Sequence, residues 1–253
     1  MELAATASDP NDMLDKPRWK LQVLLGTQRQ HAGGWHGDVL ANKIREILLD
    51  KCPDAFGRDV CDKKITAWGP VGYTSVKECI LGPVRREFYR DDANLVLEIY
   101  SSYFPADNPG LRDLFINHVA EVFGSTSDLK VNQYEVKLVN AGSHSCADKR
   151  SWNRFANAPD RVEISLSPPP YEDLDTNPHL YVRLSLNRNA VEGKFDCVGS
   201  VKAADEVAPP GRIAAYSRLI NRPVWGWTYC PTREVSGDCK WYNPPSFKFC
   251  DPW

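Results

Sequence analysis

The sequence predicts an α+β fold: an antiparallel sheet with two helices on one face, further strands, and a cysteine-rich irregular C-terminal segment. Three observations predict it. Short apolar or alternating runs recur with the period of two that a strand requires. Two longer segments repeat their apolar residues every three to four positions, as a helix lying on a core does. Between residues 20 and 140 these elements follow the order strand, helix, strand, strand, helix, strand, the split βαβ order of a ferredoxin-like layer.

Residues 1–17 have no periodicity and read as a flexible leader. Leu21–Leu25 is a short apolar run ended by Gly26 and reads as a buried strand, and Thr27 to Gly37 reads as a glycine-rich loop. Asp38 has the chemistry of an N-cap for a helix to about Lys51, with Leu40, Ile44, Ile47 and Leu48 as its apolar stripe. Ile65–Trp68 reads as a second strand stopped by Gly69-Pro70. Ser75–Glu78 has the capping-box pattern and predicts a short helix ended by Gly82-Pro83. The inserted piece 71–92 has no place in the split βαβ scheme.

Leu95–Tyr100 is the clearest strand of the chain. Asp107-Asn108-Pro109 predicts a helix start, with Leu111, Leu114, Phe115, Val119, Val122 and Phe123 on the apolar face and Gly124 as the stop. Tyr134–Leu138 alternates as a half-buried strand, and 141–160 reads as a loop. Arg161–Leu166 and Leu180–Leu186 alternate again, and Pro168-Pro169-Pro170 between them forces a long connection rather than a tight hairpin. Arg212–Ile220 reads as a short helix.

From Pro223 to Trp253 the character changes. The segment holds Cys230, Cys239 and Cys250, the rings of Trp225, Trp227, Tyr229, Trp241, Tyr242, Phe247, Phe249 and Trp253, and five prolines, Pro223, Pro231, Pro244, Pro245 and Pro252. Recurrent prolines rule out a regular helix, so cross-links and aromatic packing are expected to hold it. The organisation read from this is a leader at 1–17, an α+β body at 18–222 and a stapled aromatic segment at 223–253 packed on that body.

A net charge of −2 and no basic stripe give no electrostatic case for nucleic acid or an anionic membrane. No run approaches the ~18 apolar residues that cross a bilayer. Met1 to Lys16 is polar and lacks the apolar centre of a signal peptide.

The eight cysteines, Cys52, Cys61, Cys79, Cys146, Cys197, Cys230, Cys239 and Cys250, contain no CxxC pair. Structural zinc wants ligands a few residues apart, so disulfides are expected rather than metal. Their grouping at 52–79 and 230–250 favours local bridges within each cluster. Disulfides imply an oxidising compartment, hence a secreted protein, with reduced thiols in an intracellular protein as the alternative.

Candidate chemistry falls into four groups. The loop 26–37 lies between a strand and a helix N-terminus, where backbone donors can cradle an anion, and Arg29, His31, Trp35 and His36 sit in it. With a carboxylate such as Glu98, His31 and His36 would form the acid–base site of a hydrolase. Glu98 and Glu163 on separate strands carry the same acid–base possibility, against the ordinary wet face of a sheet. Ser143 to Asp148 holds every residue type of a nucleophilic site, but neighbours in sequence rarely converge in space.

Trp225, Trp227 and Tyr229 alternate, which sets all three on one side of an extended segment as a platform for sugar rings or a protein surface. No nucleotide, zinc, hydrolase or kinase motif matches, and no cofactor is implied. The leading expectation is a secreted, disulfide-stabilised binding protein with a carbohydrate or protein partner. The alternative is a hydrolase with its site near loop 26–37.

Overall fold

A computed structural model describes residues 17–68, 74–76, 87–89, 94–139, 150–171, 176–186, 195–201, 210–230, 241–242 and 247–248. Residues 1–16 of the expected leader and Ser143 to Asp148 lie outside the described residues, as do Cys79, Cys146, Cys239 and Cys250. The elements run β1 (Trp19–Leu25), β2 (Arg29–Gly33), α1 (Gly37–Lys51), β3 (Gly57–Arg58), β4 (Thr66–Trp68), β5 (Thr74–Val76), β6 (Glu87–Tyr89) and β7 (Leu95–Phe104). They continue with α2 (Leu111–Asp128), β8 (Gln133–Val139), β9 (Arg150–Pro159), β10 (Arg161–Ser167) and β11 (His179–Leu186). A helical run at 197–201 (α3) follows. The last elements are α4 (Pro210–Ile220), β12 (Val224–Tyr229), β13 (Trp241–Tyr242) and β14 (Phe247–Lys248).

The fold is α+β with a mainly antiparallel sheet. The main sheet has the order β12-β1-β10-β11-β7-β3, and β4 also pairs with β7. Every pairing in it is antiparallel except β12 with β1, which is parallel. These pairings do not reproduce the ferredoxin-like order. β1 is flanked by β10 and β12 instead of β7, and β8 joins β9 and β2 in a separate three-stranded sheet.

One face of the main sheet and the helices form the core. Leu21, Val23 and Leu25 of β1, Val162, Ile164 and Leu166 of β10, Leu180, Val182 and Leu184 of β11, and Leu95, Leu97 and Ile99 of β7 are all buried there. Leu40, Ile44, Ile47 and Leu48 of α1 and Phe115, Val119, Val122 and Phe123 of α2 meet them. The predicted stripes of both helices are therefore the faces that the fold buries.

Four local expectations are corrected. Arg29–Gly33 within the expected loop is a strand, because its backbone pairs with β9. Residues 150–159, also expected as loop, supply that partner strand. Thr74–Val76 is a strand paired with β6 where a helix was expected, so the capping-box pattern lost to sheet pairing. Gly124 does not stop its helix, which runs on to Asp128. A Cβ at Gly124 would lie 2.6 Å from the Gly37 carbonyl oxygen and 2.7 Å from the Ala41 Cβ. That glycine is what lets α1 and α2 touch.

The ends of the helices also differ in detail from expectation. His36, not Asp38, occupies the N-cap of α1. Gly110 occupies that of α2, after a turn that includes Pro109.

Two disulfides join described cysteines, Cys52–Cys61 and Cys197–Cys230. The first is the expected local bridge. The second corrects the expectation that Cys230 pairs within 230–250: it reaches back 33 residues to α3 and ties that helix to the end of β12.

Candidate functional site

The loop 26–37 spends its donors on the fold. Gly26 N–H donates to the Arg161 carbonyl at 2.8 Å and Gln28 N–H to the Asp160 carboxylate at 2.9 Å. Trp35 N–H donates to the Ala32 carbonyl at 3.1 Å and Gly37 N–H to Ser127 Oγ at 3.1 Å. The Asp128 carboxylate already stands at the start of α1, 3.0 Å from His36 Nδ1. An anion cradle needs such donors unpaired, so these groups act in packing. At Gly26 a Cβ would lie 2.0 Å from Asp160 Oδ1, which fixes glycine where β1 turns into β2. Burial raises the Asp160 carboxyl above its ordinary range, against the opposing hydrogen bond from Gln28.

The three expected catalytic side chains have separate partners. His31 is buried and hydrogen-bonded to Asn157, and burial pulls its pKa down to about 4. Its ring lies 5.9 Å from that of Phe155. His36 pairs with Asp128. Glu98 lies on β7 with its carboxylate 3.6 Å from Arg183. Arg29 is half-buried and adds its charge to the forces keeping His31 neutral. Trp35 packs against the core.

On β12, Trp225 stands beside Lys20, Trp227 beside Gln22 and Tyr229 beside Leu24 of β1. Trp225 and Tyr229 are half-buried. The Trp225 ring meets Tyr171 edge-on at 6.0 Å, and the Lys20 ammonium lies 5.7 Å from the centre of the Tyr171 ring. Tyr171 in turn donates to the Arg18 carbonyl at 3.0 Å. Trp225 and Tyr171 thus stand beside a fully buried lysine.

A second aromatic row lies on the side of the sheet away from the helices. On β7, Glu98 and Tyr100 alternate with buried Leu97 and Ile99. The register then slips: Ser101 faces Tyr181 while Ile99 faces Val182, so Tyr100 is an extra, bulged residue. Beyond the bulge Ser102 and Phe104 turn to the core, and Ser101 and Tyr103 take the outer face. His179, Tyr181 and Arg183 of β11 join them, opposite buried Leu180, Val182 and Leu184.

Four rings follow one another across this face. Tyr103 and His179 are 6.5 Å apart, His179 and Tyr181 4.6 Å, and Tyr181 and Tyr100 5.7 Å. The Arg183 guanidinium sits 5.3 Å from the centre of the Tyr100 ring. Tyr100 donates a hydrogen bond to Glu163, whose carboxylate is 3.6 Å from Arg161 Nε. Burial, reinforced by the Glu163 charge, holds the Tyr100 hydroxyl protonated well above its usual range.

His179 is fixed at both nitrogens: Nδ1 lies 2.7 Å from the Asn177 carbonyl oxygen and Nε2 2.7 Å from Ser101 Oγ. Asn177 is itself held by donation from its Nδ2 to Ser167 Oγ at 3.1 Å. Among the described residues no three His, Cys, Asp or Glu side chains gather as a metal site, and no helix is long and apolar enough to cross a membrane.

Of this row, sequence reasoning singled out only Glu98 and, as a possible acid–base partner, Glu163. The period-two spacing of His179, Tyr181 and Arg183 was visible in the sequence. The bulge that adds Tyr100 and Ser101 to the same face was not. No protein-family model matches this chain, and no curated protein and no solved structure is significantly similar to it.

Proposed function

We propose that this protein is a secreted recognition module that binds carbohydrate on the sheet face opposite its helices. The observation that carries the reading is the row Tyr103, His179, Tyr181 and Tyr100, bordered by the Arg183–Glu98 and Arg161–Glu163 pairs. Sugar rings present an apolar face of C–H groups and a rim of hydroxyls. Tyrosine rings stack on the first and add hydrogen-bonding hydroxyls of their own. Charged carboxylates and guanidinium groups bond the second more strongly than neutral partners do. The half-buried Trp225 and Tyr229 add aromatic character at the edge strand. The Cys52–Cys61 and Cys197–Cys230 disulfides support an oxidising compartment.

Calorimetric titration of the intact protein with a panel of neutral oligosaccharides tests the reading. At least one member is expected to bind, and Tyr181→Ala is expected to weaken it about tenfold, the order of one aromatic contact. Absence of binding across the panel, or binding indifferent to Y181A, overturns the proposal.

A further inference from the structure

The Ser101–His179 pair has an arrangement that sugar recognition does not require. A backbone carbonyl only accepts hydrogen bonds, so the Asn177 oxygen 2.7 Å from Nδ1 places the ring hydrogen on Nδ1. Nε2 then presents its lone pair to Ser101 Oγ, 2.7 Å away, and the serine hydroxyl donates to it. This is the geometry of a hydroxyl with its general base in place, and the base has its tautomer and orientation fixed from behind.

The support continues outward. His179 is buried, with the rings of Tyr103 and Tyr181 6.5 Å and 4.6 Å from its own. Asn177 is buried and anchored on Ser167. Ser101 is half-exposed, held at a bulge, where strands commonly re-aim a functional side chain. Arg58 of β3 stands opposite Tyr103, the next outward residue after Ser101. The next residue, Asp59, is ion-paired with Lys63 at 2.9 Å.

We propose that Ser101 and His179 are a nucleophile–base pair that cleaves a carboxylic ester held on this face. Ser101 Oγ bonds to the acyl carbon as its proton passes to His179 Nε2. The bond from that carbon to the alcohol oxygen breaks, and His179 returns the proton to the departing alkoxide. Water then adds to the acyl carbon, giving its proton to Nε2. The Ser101 ester bond breaks, the serine oxygen takes that proton back, and a carboxylic acid leaves. The chemistry does not depend on which ligand the tyrosines hold, so failure of sugar binding leaves it standing, and its own failure leaves sugar binding standing.

The test uses the whole oxidised protein and a fluorophosphonate, which forms a stable bond with an activated serine. Intact-mass measurement is expected to show one adduct, located by peptide mapping on Ser101. Ser101→Ala is expected to abolish it. His179→Gln, which keeps a hydrogen-bonding side chain, is expected to slow it about a hundredfold or more, the contribution of a positioned base. Thermal melts of both variants establish that they fold. An unlabelled wild-type protein, an adduct on another residue, or labelling undiminished in H179Q overturns the proposal, and the first two outcomes need no variant to fold.

Discussion

His118 shows how one side chain can set the acid limit of the molecule. It is fully buried on α2, with Nδ1 3.3 Å from the Tyr216 hydroxyl and Nε2 without a hydrogen-bond partner. Burial first, and the nearby Arg212 charge second, lower its pKa from 6.5 to about 3. The unfolded chain therefore binds a proton that the folded one refuses between those two values. The resulting stability is complete above pH 6.5 and is lost progressively as pH falls toward about 3. It amounts to a few kcal/mol, because each tenfold difference in proton affinity between the folded and unfolded chain is worth about 1.4 kcal/mol. Replacing His118 by Asn removes this titration, so the variant's unfolding free energy, from urea melts at several pH values, is expected to fall less steeply below pH 6.5 than that of wild type. Parallel curves for the two proteins would contradict the assignment. His31 acts in the same sense over a narrower range, down to about 4.

Among the elements, β7 is the one on which most depends. It pairs with β11, β3 and β4, and its inward residues Leu95, Leu97 and Ile99 are buried against the helices. Leu97→Ala is expected to cost about 2–5 kcal/mol in denaturant melts, and a loss below about half a kcal/mol would contradict a central strand. This strand was legible in the sequence because Leu95, Val96, Leu97 and Ile99 make a short, strongly apolar run. The helices were legible by the three-to-four-residue spacing of their apolar stripes. β9 was not: Arg150 to Pro159 has no clean alternation, and its strand character comes from pairing with β2, distant in sequence, and with β8. Gly124 misled because a glycine that ends a helix and one that admits a second helix look alike in one dimension. At the candidate site, the two charged pairs involve Glu98 and Glu163, which the sequence singled out. The serine hydrogen-bonded to His179 depended on a one-residue slip in register that no local pattern announces.

For the whole molecule, the disulfide between Cys197 and Cys230 matters more than the one between Cys52 and Cys61, because it closes 33 residues against 9. In the loop-entropy account the longer bridge is worth about 3–4 kcal/mol and the shorter about 2–3. A Cys197→Ala/Cys230→Ala double variant is expected to lose more unfolding free energy than Cys52→Ala/Cys61→Ala, measured by urea titration without reductant. The reverse order would show that native contacts, not restriction of the unfolded chain, decide. The placement of β1 has a different consequence. Both of its neighbours, β10 at 161–167 and β12 at 224–229, are separated from it by more than half the chain. Synthesis must pass Tyr229 before this early segment can acquire both companions, so its apolar side chains are left without half of their sheet long after they are made.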